Sequence, residues 1–535
     1  MGKGKKPTLL IISAMSVLSL SSCTIYSFFP GSSSSSSSII TSESSSNFAK
    51  EIVSEGVYKS TDFLKTSARQ VSAQRGMDLV PSTGDVKILV LPIEFTDSPF
   101  SESTLSNIEK ALNGTDNDYW ESTASFYEKS SYGKLHLNFH VADIYKTGIT
   151  SSEAAKRNYQ YNQNGNDEKT SGQAFVNEAV SAYKDADFPL ADFDQDDNGI
   201  IDGVVAIYSC QNYRKKTCSF EYGGKTRKDD SLFWAYTYWC VNDPDFSFPK
   251  ANTYIWISYD FFAEGGDADA HTLIHEFGHM MGLDDYYSGE VDFQPAGGID
   301  MMDMNIVDHD AYSKCVLGWT SPYIIDGDEV SLTIRPSQSS GDCVLIPTSA
   351  FNGTVWDEYI LLELYTPDGL NELDTKTAYC NEYPRGYSEP GIKIYHIDSR
   401  LISCYSSGSK YTSTPYVSDP NSIDLDSGNV FYFVGATNCS KEFNSSLVLS
   451  SNRSYSEDFS LLHLIEATGR NTFKYGDVGT NATLFKEGSS FSLSKFGSSF
   501  FPYKTMMNNG RSFPYTIEVT ALSSESATLS FTKNA

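Results

Sequence analysis

The chain has 535 residues and a formal net charge of −28, which comes from 40 Lys and Arg against 68 Asp and Glu. Nucleic acid is therefore excluded as an expected partner, because binding its phosphates needs a basic surface. The length predicts about two or three domains, and an apolar content of 40% provides enough material for sizeable cores.

The first predicted element is an export signal. A basic start with three lysines precedes an apolar run from Leu9 to Leu20, which is too short to cross a bilayer comfortably. The run ends in "LSSC", which resembles the lipobox of bacterial lipoproteins. The resemblance implies a signal peptide at 1–22 and a lipid on Cys23, which anchors the exported chain to the outer face of a bacterial membrane. An ordinary signal peptide with a chance cysteine is the alternative.

A serine-rich tether is expected at 23–50, because its repeated serines cannot bury a core. Past it, the sequence predicts an N-terminal pro-like segment at 51–84, a mixed domain at 85–325 and a β-rich C-terminal region at 326–535. The expected fold class is α+β, with a mixed twisted sheet and helices followed by an all-β region. The lipid is the only membrane contact expected.

The mixed domain opens with the strand "VKILVLPIEF" at Val86, and a polar, helix-like stretch follows from Ser103 to Tyr132. A second strand, "KLHLNFHV", precedes a helical segment from Phe175 to Tyr183. Three further strands are indicated by β-branched and aromatic residues between turns, namely "GVVAIYS", "LFWAYTYW" and "TYIWISYD". Beyond Ser321 nearly every segment favours strands: "EVSLTIRP", "EYILLELY", "GIKIYHID", "NVFYFVG" and "YTIEVTALSSESATLSF".

A calcium loop is indicated by the segment "DQDDNGIIDG". Positions 1, 3, 5 and 9 of such a loop, with the carbonyl at position 7, correspond to Asp194, Asp196, Asn198, Asp202 and Ile200. Position 12 is Val205 rather than the bidentate glutamate of an EF-hand, so the loop is incomplete. A structural calcium ion is predicted here, with a polar turn that binds no metal as the alternative.

The segment "HTLIHEFGHMMGLDDYY" holds three of the eight histidines. Asp267 and Asp269 offer N-cap oxygens for a helix that is predicted to run through Met281. On this helix His275 and His279 lie one turn apart, so both imidazoles can reach one ion. Glu276 lies between them, where its carboxylate can take a proton from a metal-activated water.

Gly282 is expected to end this helix, because a glycine at a helix C-terminus adopts positive φ at little cost and turns the chain back. On a continued helix Asp285 would lie about 15 Å along the axis from His275, too far to share a metal. After the turn Asp285 can approach the metal, with Asp284 as a neighbouring alternative. The pattern HExxHxxGxxD resembles the extended zinc motif of metzincin peptidases. The segment "GGIDMMDMN" resembles their methionine turn, with Met302 under the site.

Two other histidines have plainer explanations. His271 lies one turn before His275, but three histidines spaced by four on a straight helix cannot converge on one ion. His271 is therefore expected to be a polar residue of the first helical turn. His396, in "GIKIYHID", is expected to be a strand histidine bonded to a neighbour such as Asp398.

Several segments resemble, in order, one family, the immune inhibitor A-like metallopeptidases of the metzincin clan. The segment "GDVKILVLPIEFTD" is similar to the opening strand of the family, and "SFYEKSSYGKLHL" to its Tyr-Gly segment. The segment "HEFGHMMGLDDYY" is similar to its zinc helix, and "GGIDMMDM" with "HDAYSKCVLGW" to its methionine turn and the helix after it. "EYILLELY" and "PGIKIYHID" are similar to later strands, so the resemblance runs from Gly84 to Ile465.

The resemblance implies a metallopeptidase domain at 85–325 with one catalytic zinc on His275, His279 and Asp285. Glu276 would be the general base for a zinc-activated water, and the substrates would be proteins or peptides. In metzincins the substrate lies along an exposed edge strand, for which "SLFWAYTYW" is the candidate. The alternative function is that of a catalytically silent surface binding or adhesion lipoprotein that retains the peptidase fold.

Cysteines beyond the predicted anchor number eight, from Cys210 to Cys439. An even number in an exported chain suggests disulfides, although the sequence leaves their connectivity open. Reduced, buried thiols are the alternative.

Overall fold

The computed structural model describes residues 48–73, 76–115, 120–163, 171–186, 188–229, 231–240, 242–266, 268–287, 293–349, 351–380, 383–407, 410–414, 429–433 and 460–534. The predicted signal peptide, Cys23 and the predicted tether up to residue 47 lie outside these ranges. Among the described residues, no helix has both the length and the apolar character that a bilayer crossing requires.

Strands and helices alternate along the chain, so the fold is α+β, as predicted. The strands of the described ranges, β1 to β24 in chain order, are Lys50–Ser54, Val57–Ser60, Gly84–Glu94, Leu135–Val141, Tyr145–Lys146, Ile200–Ile201, Val204–Tyr208, Ser219–Tyr222, Lys225–Lys228, Tyr236–Trp239, Lys250–Ala251, Thr253–Ser258, Tyr323–Ile325, Glu329–Ile334, Cys343–Pro347, Glu358–Tyr365, Gly391–Asp398, Leu401–Ser407, Lys410–Thr414, Asn429–Phe433, Leu462–Leu464, Ser490–Ser492, Tyr515–Leu522 and Ala527–Lys533. The α-helices, α1 to α11, are Ala68–Ala73, Glu102–Asn113, Thr123–Ser130, Ser151–Gln163, Ser171–Asp185, His271–Met280, Met301–Met304, Ala311–Val316, Ser337–Ser340, Glu372–Lys376 and Leu493–Phe500. Short 3₁₀ turns occupy Leu190–Phe193, Tyr259–Ala263, Gly369–Asn371, Phe473–Tyr475 and Asn481–Thr483.

The first sheet has the order β10-β12-β7-β3-β4, with β5 also pairing with β3. Strands β4, β3, β7 and β12 are parallel, whereas β10 is antiparallel to β12 at the edge. The nearly continuous apolar sequence of β3 explains its central position, because a strand covered on both faces needs apolar residues at successive positions. Ile88 packs in the same cluster as Phe277 of α6, and Leu89 packs with Phe175 of α5 on the opposite face.

The second sheet has the order β1-β2-β13-β15-β16-β17-β21, and β14-β24-β23-β22 form a separate four-stranded sheet. Side chains from both sheets, such as Ile360 and Leu529, share one core cluster with Phe496 of α11. The C-terminal region is therefore rich in strands, as expected. It also contains the helices α9, α10 and α11, so the prediction of an all-β region was too simple. These helices have only four, five and eight residues, so their sequences show little helical periodicity.

The parts predicted as separate segments pack together in the fold. Strands β1 and β2, at the start of the predicted pro-like segment, enter the second sheet because β2 pairs with β13. The N–H of Val80 donates to the carbonyl of Met280 at the end of α6, at 2.9 Å. One core cluster contains Leu79, Phe277 and Trp356, which come from the pro-like segment, the mixed domain and the C-terminal region.

Two predicted elements differ in extent from the observed ones. The helix-like stretch from Ser103 to Tyr132 is two helices, because α2 ends before Gly114 and the Ser122 side chain caps the start of α3. Only the second half of "LFWAYTYW" is a strand, namely β10. Helix α4 was not predicted, and its mainly polar sequence explains why.

Candidate metal centre

Helix α6 carries the motif residues against the first sheet. It begins at His271, whose N–H donates to Asp269 Oδ1 at 3.0 Å, although Ala270 is the N-cap position itself. Ile274 and Phe277 are fully buried on the face that meets the sheet. The helix ends at Met280, one residue before the predicted end.

Gly282 turns the chain at the end of α6 as predicted, with a φ of +100°. Leu283 N–H donates to the Gly278 carbonyl and Gly282 N–H to the His279 carbonyl, both at 3.0 Å, which is the bond pattern of a Schellman turn. A Cβ at position 282 would lie 2.7 Å from Leu79 Cδ1, so both the conformation and the packing require glycine.

The turn brings Asp285 against both motif histidines. Asp285 Oδ1 lies 3.1 Å from His275 Nε2 and 3.1 Å from His279 Nε2, and the two Nε2 atoms are 3.2 Å apart. Among the described residues, this is the group of His, Cys, Asp or Glu side chains whose ligand atoms are close enough to hold one ion. Asp284 is not in this group. Its charge adds to the effect of burial in raising the pKa of the Tyr312 hydroxyl.

The outer nitrogens of the two rings fix the proton positions. His275 Nδ1 lies 2.9 Å from the Met301 carbonyl, and His279 Nδ1 lies 2.8 Å from the Leu283 carbonyl. A carbonyl oxygen only accepts, so each Nδ1 carries a hydrogen and each ring turns its Nε2 toward Asp285, where Nε2 can bind a metal ion once it carries no proton. Such backbone contacts are the kind that orient histidine ligands of metals.

Three lone-pair atoms at these distances repel one another unless a positive charge lies between them. Tetrahedral zinc with nitrogen and oxygen ligands at about 2.0–2.2 Å requires ligand atoms about 3.3 Å apart. The triangle of His275 Nε2, His279 Nε2 and Asp285 Oδ1, with sides of 3.1, 3.1 and 3.2 Å, is close to one face of that tetrahedron. The donor set and its spacing therefore fit a zinc ion.

The pKa shifts of His279 and Asp285 also indicate that this group of side chains favours a positive charge. Burial alone would lower the pKa of His279, but the charge of Asp285 and a hydrogen bond to it raise this pKa to about 10. Burial acts in the opposite direction on Asp285, yet both histidines hold the pKa of its carboxyl well below the usual range. The centre stabilises a cation, whether this is a proton or a metal ion.

Glu276 lies beside this triangle, next to the edge strand β10. Burial raises the pKa of its carboxyl above the usual value, while the two histidines and Thr237 oppose this shift. The Thr237 hydroxyl, on β10, lies 3.0 Å from Glu276 Oε2 and 2.8 Å from the Glu276 carbonyl. Thr237 was not singled out from the sequence, although it falls within the segment "SLFWAYTYW" that was expected to form the edge strand.

The predicted methionine turn lies under α6. Met302 packs so closely on Gly278 that a Cβ there would lie 2.6 Å from Met302 Sδ. The neighbouring Met301 supplies the carbonyl that orients His275, and Tyr286 N–H donates to the Met302 carbonyl at 2.7 Å. The methionine turn thus contacts both helix α6 and the segment after Gly282 that carries Asp285.

His271 and His396 are both buried, and neither belongs to the metal centre. His271 is stacked between Trp120 and Tyr379, with ring centroids 3.9 Å away on each side. It lies in the first turn of α6, as expected, and it is fully buried there. His396 is a strand histidine as expected, but its Nε2 contacts Glu358 Oε1 at 2.7 Å rather than Asp398.

The predicted calcium loop has its acidic side chains bonded to protein donors. Asp194 accepts from the N–H groups of Asn198 and Gly199, both at 2.9 Å, and Asp202 accepts from Gln195 N–H at 2.9 Å. Asp196 pairs with Arg69 at 2.9 Å.

Calcium needs oxygen ligands that converge at about 2.3–2.6 Å. In the part of the chain that the structure describes, no cluster of acidic side chains close enough for one ion forms at this loop. The carbonyl of Ile200, predicted as a further ligand, lies at the start of β6. The calcium ion stays a prediction of the sequence.

The chain was compared with protein-family models and with curated proteins, and neither comparison finds a match. The function of this site therefore has to follow from its own atoms: two histidines and one aspartate whose ligand atoms converge, and a buried glutamate beside an edge strand.

Proposed function

We propose that this chain is a zinc metalloendopeptidase in which Glu276 is the general base. The observation that carries the proposal is the convergence of the lone pairs of His275, His279 and Asp285 within 3.2 Å of one another. A carboxylate beside such a triangle is the arrangement that zinc-dependent hydrolysis of an amide requires.

The chemistry divides between the ion and the chain. A zinc ion held by the three residues supplies a Lewis acid that polarises a carbonyl and acidifies water. Glu276 accepts the proton of the attacking water and returns it to the leaving amine. Burial, which raises the pKa of Glu276, makes the carboxylate a stronger base than one in water.

The edge strand β10 offers a place for a peptide substrate. An edge strand presents backbone N–H and C=O groups to one side, and an extended peptide can add to it as a further strand. Because Thr237 of β10 contacts Glu276 directly, a peptide added there would pass beside the general base. Tyr238 and Trp239, whose rings are stacked at 4.7 Å, are half-buried on the same strand.

The architecture supports a metzincin-like fold and membership of the immune inhibitor A-like family. A largely parallel sheet with one antiparallel edge strand, a motif helix ended by a glycine turn, and a methionine under the site occur together here. The order of the motifs in the sequence is the second support.

We also propose that the chain is exported and anchored by a lipid on Cys23. The support is the basic, apolar and small-residue sequence that precedes this cysteine. A Cys23→Ser variant should move from the membrane fraction to the soluble exported fraction without loss of folding. Membrane association unchanged by the substitution would contradict the anchor.

Zinc content and hydrolysis of an unfolded protein, measured on one sample, test the proposed function. We expect about one zinc per chain and loss of hydrolysis on chelation. Glu276→Gln should keep the zinc and lower kcat/KM by roughly 10²–10⁴-fold, because it removes the base and no ligand. Activity near that of the unsubstituted chain would rule out this mechanism. Zinc without any hydrolysis would favour the alternative of a silent binding lipoprotein.

The adjacent aspartates provide a matched control. Asp285→Ala leaves two histidines as ligands, so zinc and activity should both be lost. Asp284→Ala should retain both, because this side chain lies outside the metal-binding group. The reverse result would show that Asp284, rather than Asp285, is the third ligand.

A further inference from the structure

Two pairs of buried cysteines lie with their sulfurs in contact. Cys210 Sγ and Cys218 Sγ are 4.0 Å apart, and so are Cys315 Sγ and Cys343 Sγ. All four side chains are at most 2% exposed. Cys240 is equally buried, but among the described cysteines it does not belong to either pair whose sulfurs are in contact.

The sulfurs of each pair are in van der Waals contact, close enough for side-chain rotation to bring them within bonding distance. A disulfide has its sulfurs about 2.05 Å apart, so each pair has to close by about 2 Å, which rotations of the two side chains can share. Two such contacts among six described cysteine side chains pair four of them without competition. Cys404 and Cys439 are not included, because the structure does not describe their side chains.

We propose that Cys210–Cys218 and Cys315–Cys343 are disulfide bonds of the mature protein, and that Cys240 is a free thiol. The inference goes beyond the proposed hydrolysis and concerns residues outside the metal centre. It resolves the connectivity that the sequence leaves open for four of the eight cysteines.

The bonds form while the chain folds and the thiols can still be reached, by thiol–disulfide exchange with an external disulfide, such as oxidised glutathione or the disulfide of a thiol oxidase. In the first pair, the thiolate of Cys218 attacks the external disulfide and releases one external thiolate. Cys210 then attacks the Cys218 sulfur, releases the second thiolate, and the two protons end on the two external thiols.

Each bond would brace a part of the fold that the metal centre depends on. The first closes the loop 211–217, where Tyr213 N–H donates to the Phe233 carbonyl at 2.9 Å, just before β10. In the same loop the Arg214 guanidinium lies 4.3 Å from the Trp234 ring centroid. The second joins α8, which follows the methionine turn, to β15 in the C-terminal region.

Peptide mapping of the full chain tests the proposal directly. The chain is folded in a glutathione redox buffer, denatured without reductant, alkylated and digested, and its peptides are identified by mass. We expect Cys210 linked to Cys218, Cys315 linked to Cys343, and Cys240 alkylated. Alkylation of either pair, or a link to a different cysteine, overturns the proposal for that pair.

Thermal unfolding separates the role of the bonds from their presence. The reductant-treated chain should unfold roughly 5 °C or more below the oxidised one, because each bond restricts the unfolded chain. A double variant, Cys315→Ser with Cys343→Ser, should lose much of this response, whereas Cys240→Ser should keep it in full. An equal response in all three proteins would contradict the second bond. Zinc content of the same samples reports separately on the metal centre.

Discussion

At the scale of single residues, Thr237 connects the edge strand β10 to Glu276, the proposed general base. Its hydroxyl has one hydrogen and two acceptors on the same residue, the Glu276 carbonyl and Oε2. A hydrogen bond to an ionised carboxylate stabilises the charged form, and it also fixes the direction in which the free oxygen points. Thr237 is thus a positioning residue for the proposed base.

Replacing this hydroxyl should weaken catalysis without removing the metal. We expect Thr237→Val to lower kcat/KM by roughly ten- to hundredfold at neutral pH, since a hydrogen bond to a charged group contributes about 1.5–3 kcal/mol. Because the bond lowers the pKa of Glu276, its loss should move the acidic limb of the pH–rate profile to higher pH.

The control for this prediction is Thr237→Ser, which keeps the hydroxyl and should restore the rate and the profile. Zinc content should be the same in both variants. A Val variant with an unchanged pH–rate profile would indicate that Thr237 only packs against the helix.

At the scale of elements, residues from distant parts of the chain contact helix α6 at both of its ends. At its start, His271 lies between two aromatic rings, with Nδ1 2.8 Å from Asp269 Oδ1 and Nε2 3.4 Å from Asp374 Oδ1. The latter is an ion pair rather than a well-formed hydrogen bond. Asp374 belongs to α10 of the C-terminal region and also accepts from Val307 N–H at 2.7 Å.

These surroundings favour a charged imidazole. Burial opposes the charge of His271, but Asp269 and then Asp374 outweigh it and raise the pKa of the ring to about 9. Trp120 and Tyr379 add attraction between the cation and their ring faces. The raised pKa means that protonated His271 stabilises the fold on the order of a few kcal/mol.

The stability of the chain should therefore depend on pH through His271. The unfolded pKa is about 6.5 and the folded pKa about 9, so the contribution is complete below about pH 6.5 and is lost as the pH rises through about 9. The melting temperature is measured from acid to alkaline pH. His271→Gln should melt at a lower temperature than the unsubstituted chain at neutral pH, and its melting temperature should fall less as the pH rises through about 9.

The matched control is His136→Gln, because His136 is half-exposed on β4 and its contact with the exposed Glu128 is long, at 3.9 Å. That substitution should change the melting temperature much less than His271→Gln. Parallel melting curves for the unsubstituted chain and His271→Gln would contradict a charged His271.

At the scale of the whole molecule, one core cluster spans the predicted boundary at residues 325 and 326. The cluster that holds Phe277 of α6 also contains Trp356 and Tyr359 from beyond that boundary. Trp356 Nε1–H donates to the Thr66 carbonyl at 2.7 Å, which ties the C-terminal region to the N-terminal segment. Helix α6 is thus supported by residues that lie before and after the mixed domain.

A fragment limited to residues 85–325 should not fold by itself, because it would expose one side of this shared core to water. Calorimetry of the full chain should show the mixed domain and the second sheet unfolding in one transition. The fragment should show no cooperative transition and should bind zinc weakly. A soluble fragment that melts cooperatively and holds zinc would contradict a shared core.

Local patterns predicted several elements well, since strands such as β3, β12, β16 and β17 consist of long apolar runs. Helix α4 was missed because most of its residues are polar and only a narrow side is buried. The second sheet was predicted strand by strand, but the entry of β1 and β2 into it was not. That pairing joins segments far apart in the chain, and no periodicity along the sequence encodes it.

By itself the sequence determined the spacing of His275 and His279, the position of Glu276 between them, and the turn at Gly282. Each depends on helix geometry or on the backbone freedom of one residue, and near neighbours in the chain set both. Only the tertiary structure decided between Asp284 and Asp285 as the partner of the histidines. It also brought Thr237 to Glu276, 39 residues away. Contacts between residues distant in the sequence depend on how a sheet edge, a helix and a turn pack together, and this packing is a property of the whole fold.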